Sequence, residues 1–380
     1  MDLISFASED VTDEHLAALR RFCRRVNVAP YRPFQPSGAK ALLGYFSLKP
    51  RSIVDTHDAE LQQLVAQAGR ERSYDAVIAS QLDMAQYALA LPEATRIFEE
   101  VELTTLYERF AKQERLSKKL SGGLTYWKTS NYVADLLKGF AGCTVVSEPE
   151  RERVRRASPF YAPIKVVPNG VDIVAYSGNF GPPEPDTLVY SGALTYDANF
   201  DAVDFFLREV FPIIQARRSK VKLSVTGKLD GVPVDRLPLN SGVTFTGYLD
   251  DIRPRVARSW VNVVPLRVGG GTRLKILESL ALGTPVVATR KGVEGLDLVS
   301  GRDILIADTP SEFSKAVLSL LDDPALRETL SRNGRRAVAA KYDWQIVGQM
   351  LNEFVERLTA KPNPPRREAE NHEHYQHQTN

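Results

Sequence analysis

Two cations, a carboxylate and three glycines stand together in Gly269-Gly270-Gly271-Thr272-Arg273-Leu274-Lys275-Ile276-Leu277-Glu278. Glycine lets an anion approach the backbone closely. The start of a helix offers free N–H groups and the positive end of a dipole. That dipole alone favours acids in the first turn, so Arg273 and Lys275 there point to an anionic ligand. Glu278, further along, can accept hydrogen bonds from a diol such as a ribose. The same residues also suit a Gly-rich strand-to-helix loop with solvated charges, and the segment alone leaves both readings open.

The flanking pattern supplies the elements that would position these groups. Residues 261–266 are an apolar run that reads as a buried strand. Leu274, Leu277, Leu280 and Ala281 recur on one helical face. Gly283 suits the helix end, and 285–289 reads as the next parallel strand. The unit is strand, Gly-rich turn, helix, strand.

Composition narrows the class. The 380 residues favour two domains. Lys and Arg number 49 against 47 Asp and Glu, so no global polyelectrolyte signal points to nucleic acid. Cys23 and Cys143 lie in apolar contexts without metal or CxxC spacing and read as reduced core thiols of a cytoplasmic protein. No stretch is apolar enough to cross a membrane, and no signal peptide is visible. Of the histidines, only His15 and His57 precede the tail, which leaves few parts for a Ser-His-Asp hydrolase or a His-rich metal site.

The Gly-rich run resembles the donor-binding segment of group 1 (family 4) glycosyltransferases of the GT-B fold, such as sugar transferases of surface-polysaccharide assembly. That family often carries Glu, seven residues, Glu, then a small-residue helix end and a G-x-P-V-V strand. Glu278 matches the second Glu, and Gly283, Pro285, Val286 and Val287 match the strand. Gly270 stands where the first Glu is expected. The resemblance runs from about residue 1 to 360 and is most specific from 168 to 289. It implies an α/β chain of two doubly wound Rossmann-like domains facing a cleft. The acceptor-side domain would span 1–172, a linker 173–186 and the nucleotide-sugar domain 187–342. Helix 343–360 would cross back to the first domain, ahead of a disordered tail, 361–380, with His372, His374 and His377.

Along the first half, 3–7 reads as a strand, and Thr12 caps a helix burying Leu16, Leu19, Phe22 and Cys23. Arg20, Arg21, Arg24 and Arg25 form a basic cluster, read either as a solvated face or as contact with an anionic membrane surface. Residues 30–52 read as irregular. Thr56 would cap a helix through Ala68, with Gly69 past its end and His57 in its first turn. Residues 75–80 form a strand, and ligands of open parallel sheets sit beyond such strand ends. Gln81 and Asp83 are therefore acceptor-side candidates, although Asp83 also suits a helix N-cap. After strand 96–99 come Glu99, Glu100 and Glu102, and a long helix past Tyr107 to about Lys119. Residues 132–140 are helical, 143–147 a strand, and Ser147-Glu148-Pro149-Glu150-Arg151-Glu152 begins a helix beneath the cleft. The family's first domain normally opens with a strand and a Gly-rich loop. Here residue 3 already reads as its second strand, so either the start is misassigned or the expected domain lacks its first strand and loop.

At the hinge, Pro168-Asn169-Gly170-Val171-Asp172 reads as a turn with positive φ, and the resemblance puts Gly170 by the cleft. Thereafter strands read at 187–191, 221–226, 243–246, 261–265, 285–289 and 303–306. Helices read near 199–217, 250–258, 273–282, 311–322, 324–341 and 343–359. This alternation implies a parallel sheet. Trp260 and Trp344 read as packing residues. Many relatives place Arg and Lys in the loop that here runs 191–199, where there is neither. Lys228, Arg273 and Lys275 are the expected substitutes on the donor diphosphate. The resemblance puts the nucleobase against the backbone near Gly247-Tyr248-Leu249, where Tyr248 reads either as a cover for the base or as a partly buried loop aromatic; Glu294, on the same cleft edge, is a candidate for a sugar hydroxyl in partial place of the Glu absent at 270.

The reading that follows is a retaining hexosyltransferase. It moves a sugar from a UDP- or GDP-sugar to a saccharide or lipid-linked acceptor, with no metal and possible peripheral contact with the inner face of a membrane. Arg273, Lys275 and Glu278 are its catalytic candidates. Gly170, Lys228, Tyr248, Gly270, Gly271, Thr272 and Glu294 are its donor-binding candidates. A nucleotide-sugar epimerase and a non-catalytic nucleotide- or partner-binding protein are the competing readings.

Overall fold

The computed structural model describes residues 1–8, 10–111, 115–238, 241–271 and 273–360. Its strands in chain order are β1 (Asp2–Ala7), β2 (Arg25–Pro30), β3 (Ala76–Ser80), β4 (Thr95–Glu99), β5 (Gly142–Val145) and β6 (Ile164–Val166) in the first half. The second half holds β7 (Glu184–Ser191), β8 (Lys222–Thr226), β9 (Val243–Gly247), β10 (Ser259–Val264), β11 (Val286–Ala288) and β12 (Leu305–Ile306).

The second half is one six-stranded parallel sheet in the order β12-β11-β10-β7-β8-β9. Its central strands read as continuous apolar runs because helices cover both faces. Leu188, Val189, Val261, Val263, Val286 and Val287 are fully buried. Chain order reverses between β7 and β10, so the loops after these two strands diverge to opposite faces and leave a crevice at their carboxyl ends. The long helix expected over 199–217 is three pieces, Asp197–Phe205, a π-turn Phe206–Val210, and Phe211–Arg217. Pro212 lacks an amide hydrogen, which breaks the regular ladder at that point.

In the first half, β1 pairs in parallel with β2, and β3-β4-β5-β6 form a separate parallel sheet. Among the described residues no ladder joins β1 to β3. The two halves meet through the last helix, Trp344–Thr359, whose Phe354 and Leu358 lie against Gly142 of β5. A Cβ at position 142 would come within 2.8 Å of both side chains.

Several local expectations change. Gly69 lies inside helix Ala59–Glu71, which Asp58 rather than Thr56 caps; its carboxylate accepts from the Leu61 N–H. His57 sits between this helix and Arg51–Thr56 and stacks on Tyr87. The long charged helix is two, Thr104–Ala111 and Leu116–Leu137. Helix Asp13–Leu19 keeps its Thr12 cap, but Leu19 and Phe22 are exposed, since the single layer β1-β2 gives it little to pack on. Two members of the arginine cluster are engaged, Arg24 with Asp2 and Arg25 with Glu71.

Candidate functional site

The Gly-rich turn leaves β10 and enters helix Leu274–Ala281 at the β7/β10 switch. Its buried face is Ile276, Leu277, Leu280 and Ala281, whereas Leu274 is exposed, so the stripe is rotated from the expected one. Asn262, fully buried in β10, donates to Ser279 Oγ and fixes this helix over the strand. Gly269 and Gly271 have φ of +100° and +81°, which explains their type. Thr272 lies outside the described residues.

Arg273 is buried and turned back on the loop. Its Nη1–H donates to the Gly270 carbonyl at 2.8 Å and its Nη2–H to the Gly269 carbonyl at 2.6 Å. It holds the glycine turn in shape, and burial lowers its pKa. Lys275 points toward the loop after β7. Its Nζ donates to Asn199 Oδ1 at 2.9 Å and Tyr190 Oη at 3.1 Å and lies 4.4 Å from the Tyr190 ring centroid. Tyr190 donates to the same Asn199 oxygen, and Asn199 Nδ2–H donates to the Ala193 carbonyl. Burial, reinforced by Arg273, lowers the Lys275 pKa to about 7. Gly192 borders this ammonium so closely that a Cβ there would lie 2.6 Å from Nζ.

Glu278, one turn further, accepts from Tyr176 Oη at 3.0 Å, a residue of the linker between the halves. Burial, then the Glu278 charge, raises the tyrosine pKa, so the phenol keeps its proton. On the other flank, Lys228 Nζ stands 5.9 Å from the ring of Tyr248, which is 65% exposed.

Gly270 faces the other half. A Cβ there would lie 2.5 Å from Thr105 Oγ1, so the family's first Glu has no room in this arrangement. Lys291 donates to both Glu108 and Glu294, linking the halves beside the turn. Gly270, Gly271 and Glu294 line a narrow cavity of about 30 Å³ opposite Glu102, Ser147 and Glu150. Glu150 is buried and accepts from the Leu103 N–H, and from the Thr104 N–H at 3.2 and 3.1 Å, capping helix Thr104–Ala111. Burial raises its pKa.

Gly170 does not form the expected positive-φ turn. It is a close-approach glycine, since a Cβ would meet Trp344 and the Tyr342 carbonyl at 3.0 Å. Pairing of Val171 with Asp343 extends the backbone there, where an Asn-Gly turn would reverse it. On the acceptor side, Gln81 itself occupies the N-cap position of helix Leu82–Ala88, which puts Asp83 inside the first turn. Gln81 (φ +67°) and Glu100 (φ +60°) both adopt left-handed backbone at the ends of adjacent strands β3 and β4. Burial, then Glu99 and Glu102, raises the Glu100 pKa, and burial raises that of Asp83. Asp83 lines a cavity of about 270 Å³ with Tyr31, Arg32, Lys40 and His57.

Sequence reasoning missed Tyr190, Asn199, Tyr176, Thr105 and Lys291. Tyr190 and Asn199 flank the loop that lacks its expected cations, which was the one available signal. Among the described residues no group of three or more His, Cys, Asp or Glu is arranged to hold a metal, and no helix is long and apolar enough to cross a membrane.

Comparison with solved structures defines the class by fold. The chain aligns over 94% of its length with all of HepE from Anabaena, solved with UDP and glucose, at TM-score 0.62 and 15% identity. Two Rossmann-like halves with parallel sheets make this a GT-B fold. By sequence, residues 185–323 match the family model "Glycosyl transferases group 1". A GDP-mannose-dependent phosphatidylinositol monomannoside mannosyltransferase of Corynebacterium glutamicum is 28% identical over 134 residues, 31% of this chain and 33% of that protein. An MMP α-(1→4)-mannosyltransferase of Mycolicibacterium hassiacum is 28% identical over 209 residues, 52% of this chain and 49% of its own. The chain thus spans a third to a half of the length of these relatives.

Proposed function

We propose that this protein is a retaining glycosyltransferase that moves a hexose from a nucleotide-diphosphate sugar to a saccharide or lipid-linked acceptor. The observation that carries the reading is the convergence at the β7/β10 switch. There a turn of glycines leads into a helix that carries the Lys275 ammonium and, one helical turn beyond it, the Glu278 carboxylate.

In the transfer, the bond from the anomeric carbon to the diphosphate breaks and a bond to the acceptor oxygen forms. The acceptor proton leaves with the diphosphate or to water. Negative charge grows on the diphosphate, so fixed donors there lower the barrier. Lys275 supplies the cation, and the Gly270 and Gly271 amides supply donors. Arg273 acts by holding those amides in place. Lys228 adds charge at the outer edge, where Tyr248 offers a face for the base. Glu278 binds the ribose, with Tyr176 holding one carboxylate oxygen and leaving the other available. Glu294 binds a sugar hydroxyl once Lys291 shares it. Gln81, Asp83 and Glu100 face the acceptor.

The GDP-mannose-dependent relative of Corynebacterium glutamicum supports mannose from GDP-mannose, and HepE, solved with UDP and glucose, supports UDP. Thermal stabilisation by UDP, GDP, ADP and their sugar conjugates identifies the donor. Glu278→Ala is expected to weaken the stabilising nucleotide by about 1–3 kcal/mol; unchanged affinity would remove Glu278 from the site. Release of nucleotide from the sugar conjugate, with the anomer of the product read by NMR, tests transfer and retention. A second reading, nucleotide binding without turnover, is favoured by the contact of Gly270 with Thr105, which closes the cleft where relatives hold a carboxylate. Nucleotide stabilisation with no release across an acceptor panel would select it.

A further inference from the structure

Residues 31–54 and 115–134 together hold eight Lys or Arg and no Asp or Glu, in a chain whose 49 Lys and Arg nearly balance its 47 Asp and Glu. The fold joins these two segments. Buried Lys128 of helix Leu116–Leu137 donates to the carbonyls of Gly44, Tyr45 and Ser47 at 3.2, 3.0 and 2.8 Å. Phe34 and Tyr45 share a cavity of about 130 Å³ with Leu124.

Large apolar side chains project from both segments. Leu116, Leu120, Leu124 and Trp127 recur along one helix face and are 72, 68, 48 and 54% exposed. Beside them Leu43, Phe46 and Leu48 are 67, 94 and 82% exposed. The helix is held by its other faces, through Lys128 and through Phe110, which packs on Gly123 and Tyr126. Exposed apolar groups in this number exceed the scatter normal for a protein surface. Lys40 and Lys49 of the first segment and Lys118 and Lys119 of the second are exposed as well. Of the acids that flank these segments, Asp55 is engaged by the Gln35 N–H and Asp135 by Lys138, and Glu114 lies outside the described residues.

We propose that this face docks on an anionic lipid bilayer. Leucine, phenylalanine and tryptophan tips enter the boundary between headgroups and acyl chains, and the lysines meet the lipid phosphates. Charge selects this occupant over a second copy of the chain. Two such faces brought together would oppose Lys40, Lys49, Lys118 and Lys119 with cations of the same kind. Arg32 and Lys40 belong both to this segment and to the wall of the 270 Å³ cavity, so docking brings that cavity to the membrane. The proposal stands independently of sugar transfer, because vesicle binding needs no donor.

The test is co-flotation of the full chain with vesicles at near-physiological salt. One set contains about one third phosphatidylglycerol in phosphatidylcholine and the other phosphatidylcholine alone. Expected is flotation with the anionic set and a blue shift of tryptophan emission that Trp127→Phe abolishes. The pairs Phe46→Ser with Leu48→Ser, and Lys118→Glu with Lys119→Glu, should each cut binding about tenfold or more. Circular dichroism confirms that the variants fold; should either pair fail to fold, the Trp127→Phe emission comparison decides alone. Absence of flotation, equal binding by folded variants, or an emission shift that survives in Trp127→Phe would overturn the proposal. So would a concentration-dependent dimer that Phe46→Ser with Leu48→Ser dissolves in a protein that does not float.

Discussion

Lys275 shows how one residue's role depends on what surrounds it. Its Nζ is enclosed by Tyr190, Asn199 and Gly192, and burial brings its pKa to about 7. A diphosphate anion favours the charged form. Below pH 7 the ammonium is already present, whereas above it binding must recruit a proton. Nucleotide affinity is therefore expected to fall as pH rises from about 7, and isothermal titration in buffers of different ionisation enthalpy should show proton uptake. Lys275→Met should bind weakly with a flattened pH slope; an unchanged slope would place the titrating group elsewhere. The stability sign is separate. An unfolded lysine holds its proton to about pH 10.4, so the unfolding free energy should rise with pH between about 7 and 10 from this group. Arg273 carries the opposite lesson. A cation beside glycines reads as an anion ligand, yet its guanidinium is spent on the Gly269 and Gly270 carbonyls.

Elements are placed by a few buried polar contacts as much as by apolar stripes. Glu150 crosses from helix Glu148–Ala157 to cap helix Thr104–Ala111, which carries Thr105 and Glu108 to the cleft. Glu150→Ala would leave the Leu103 and Thr104 amides without their carboxylate, and is expected to cost about 2–3 kcal/mol in denaturant unfolding. Glu150→Gln, keeping one acceptor oxygen, should cost less; equal losses would assign the effect to packing. The six strands of the second half and the helices between them were legible, because each buried strand is a continuous apolar run. The first half was less so. Its helices at 51–56, 59–71 and 116–137 mix polar and apolar faces, and boundaries there follow caps such as Asp58, which a Thr-x-Asp pair leaves ambiguous.

At the scale of the molecule, the halves touch where Gly270 meets Thr105 and where Lys291 bridges Glu108 and Glu294. Gly270→Glu should force them apart, seen as a larger radius of gyration by small-angle scattering. Gly270→Ala combined with Thr105→Gly should restore the wild-type value. No change in Gly270→Glu would mean that the contact opens freely in solution. The ion bridge makes a related prediction: Lys291→Ala should widen the distribution of interdomain distances, and the effect should shrink at high salt as the wild-type bridge is screened.

The amino-acid sequence by itself determined the parallel sheet of 184–306, the Gly-rich turn after β10 and the resemblance that runs through Glu278, Gly283 and Pro285. These depend on local patterns, namely apolar runs, glycine conformations and strand-helix alternation. Only the tertiary structure decided that Arg273 turns back on the glycine carbonyls while Lys275 reaches Asn199 and Tyr190, that Tyr176 holds Glu278, and that position 270 lies against Thr105. It also decided that Leu116, Leu120, Leu124 and Trp127 are exposed, as are Phe46 and Leu48. Such facts depend on contacts between residues tens to hundreds of positions apart, and periodicity says which side chains share a face but not what that face meets.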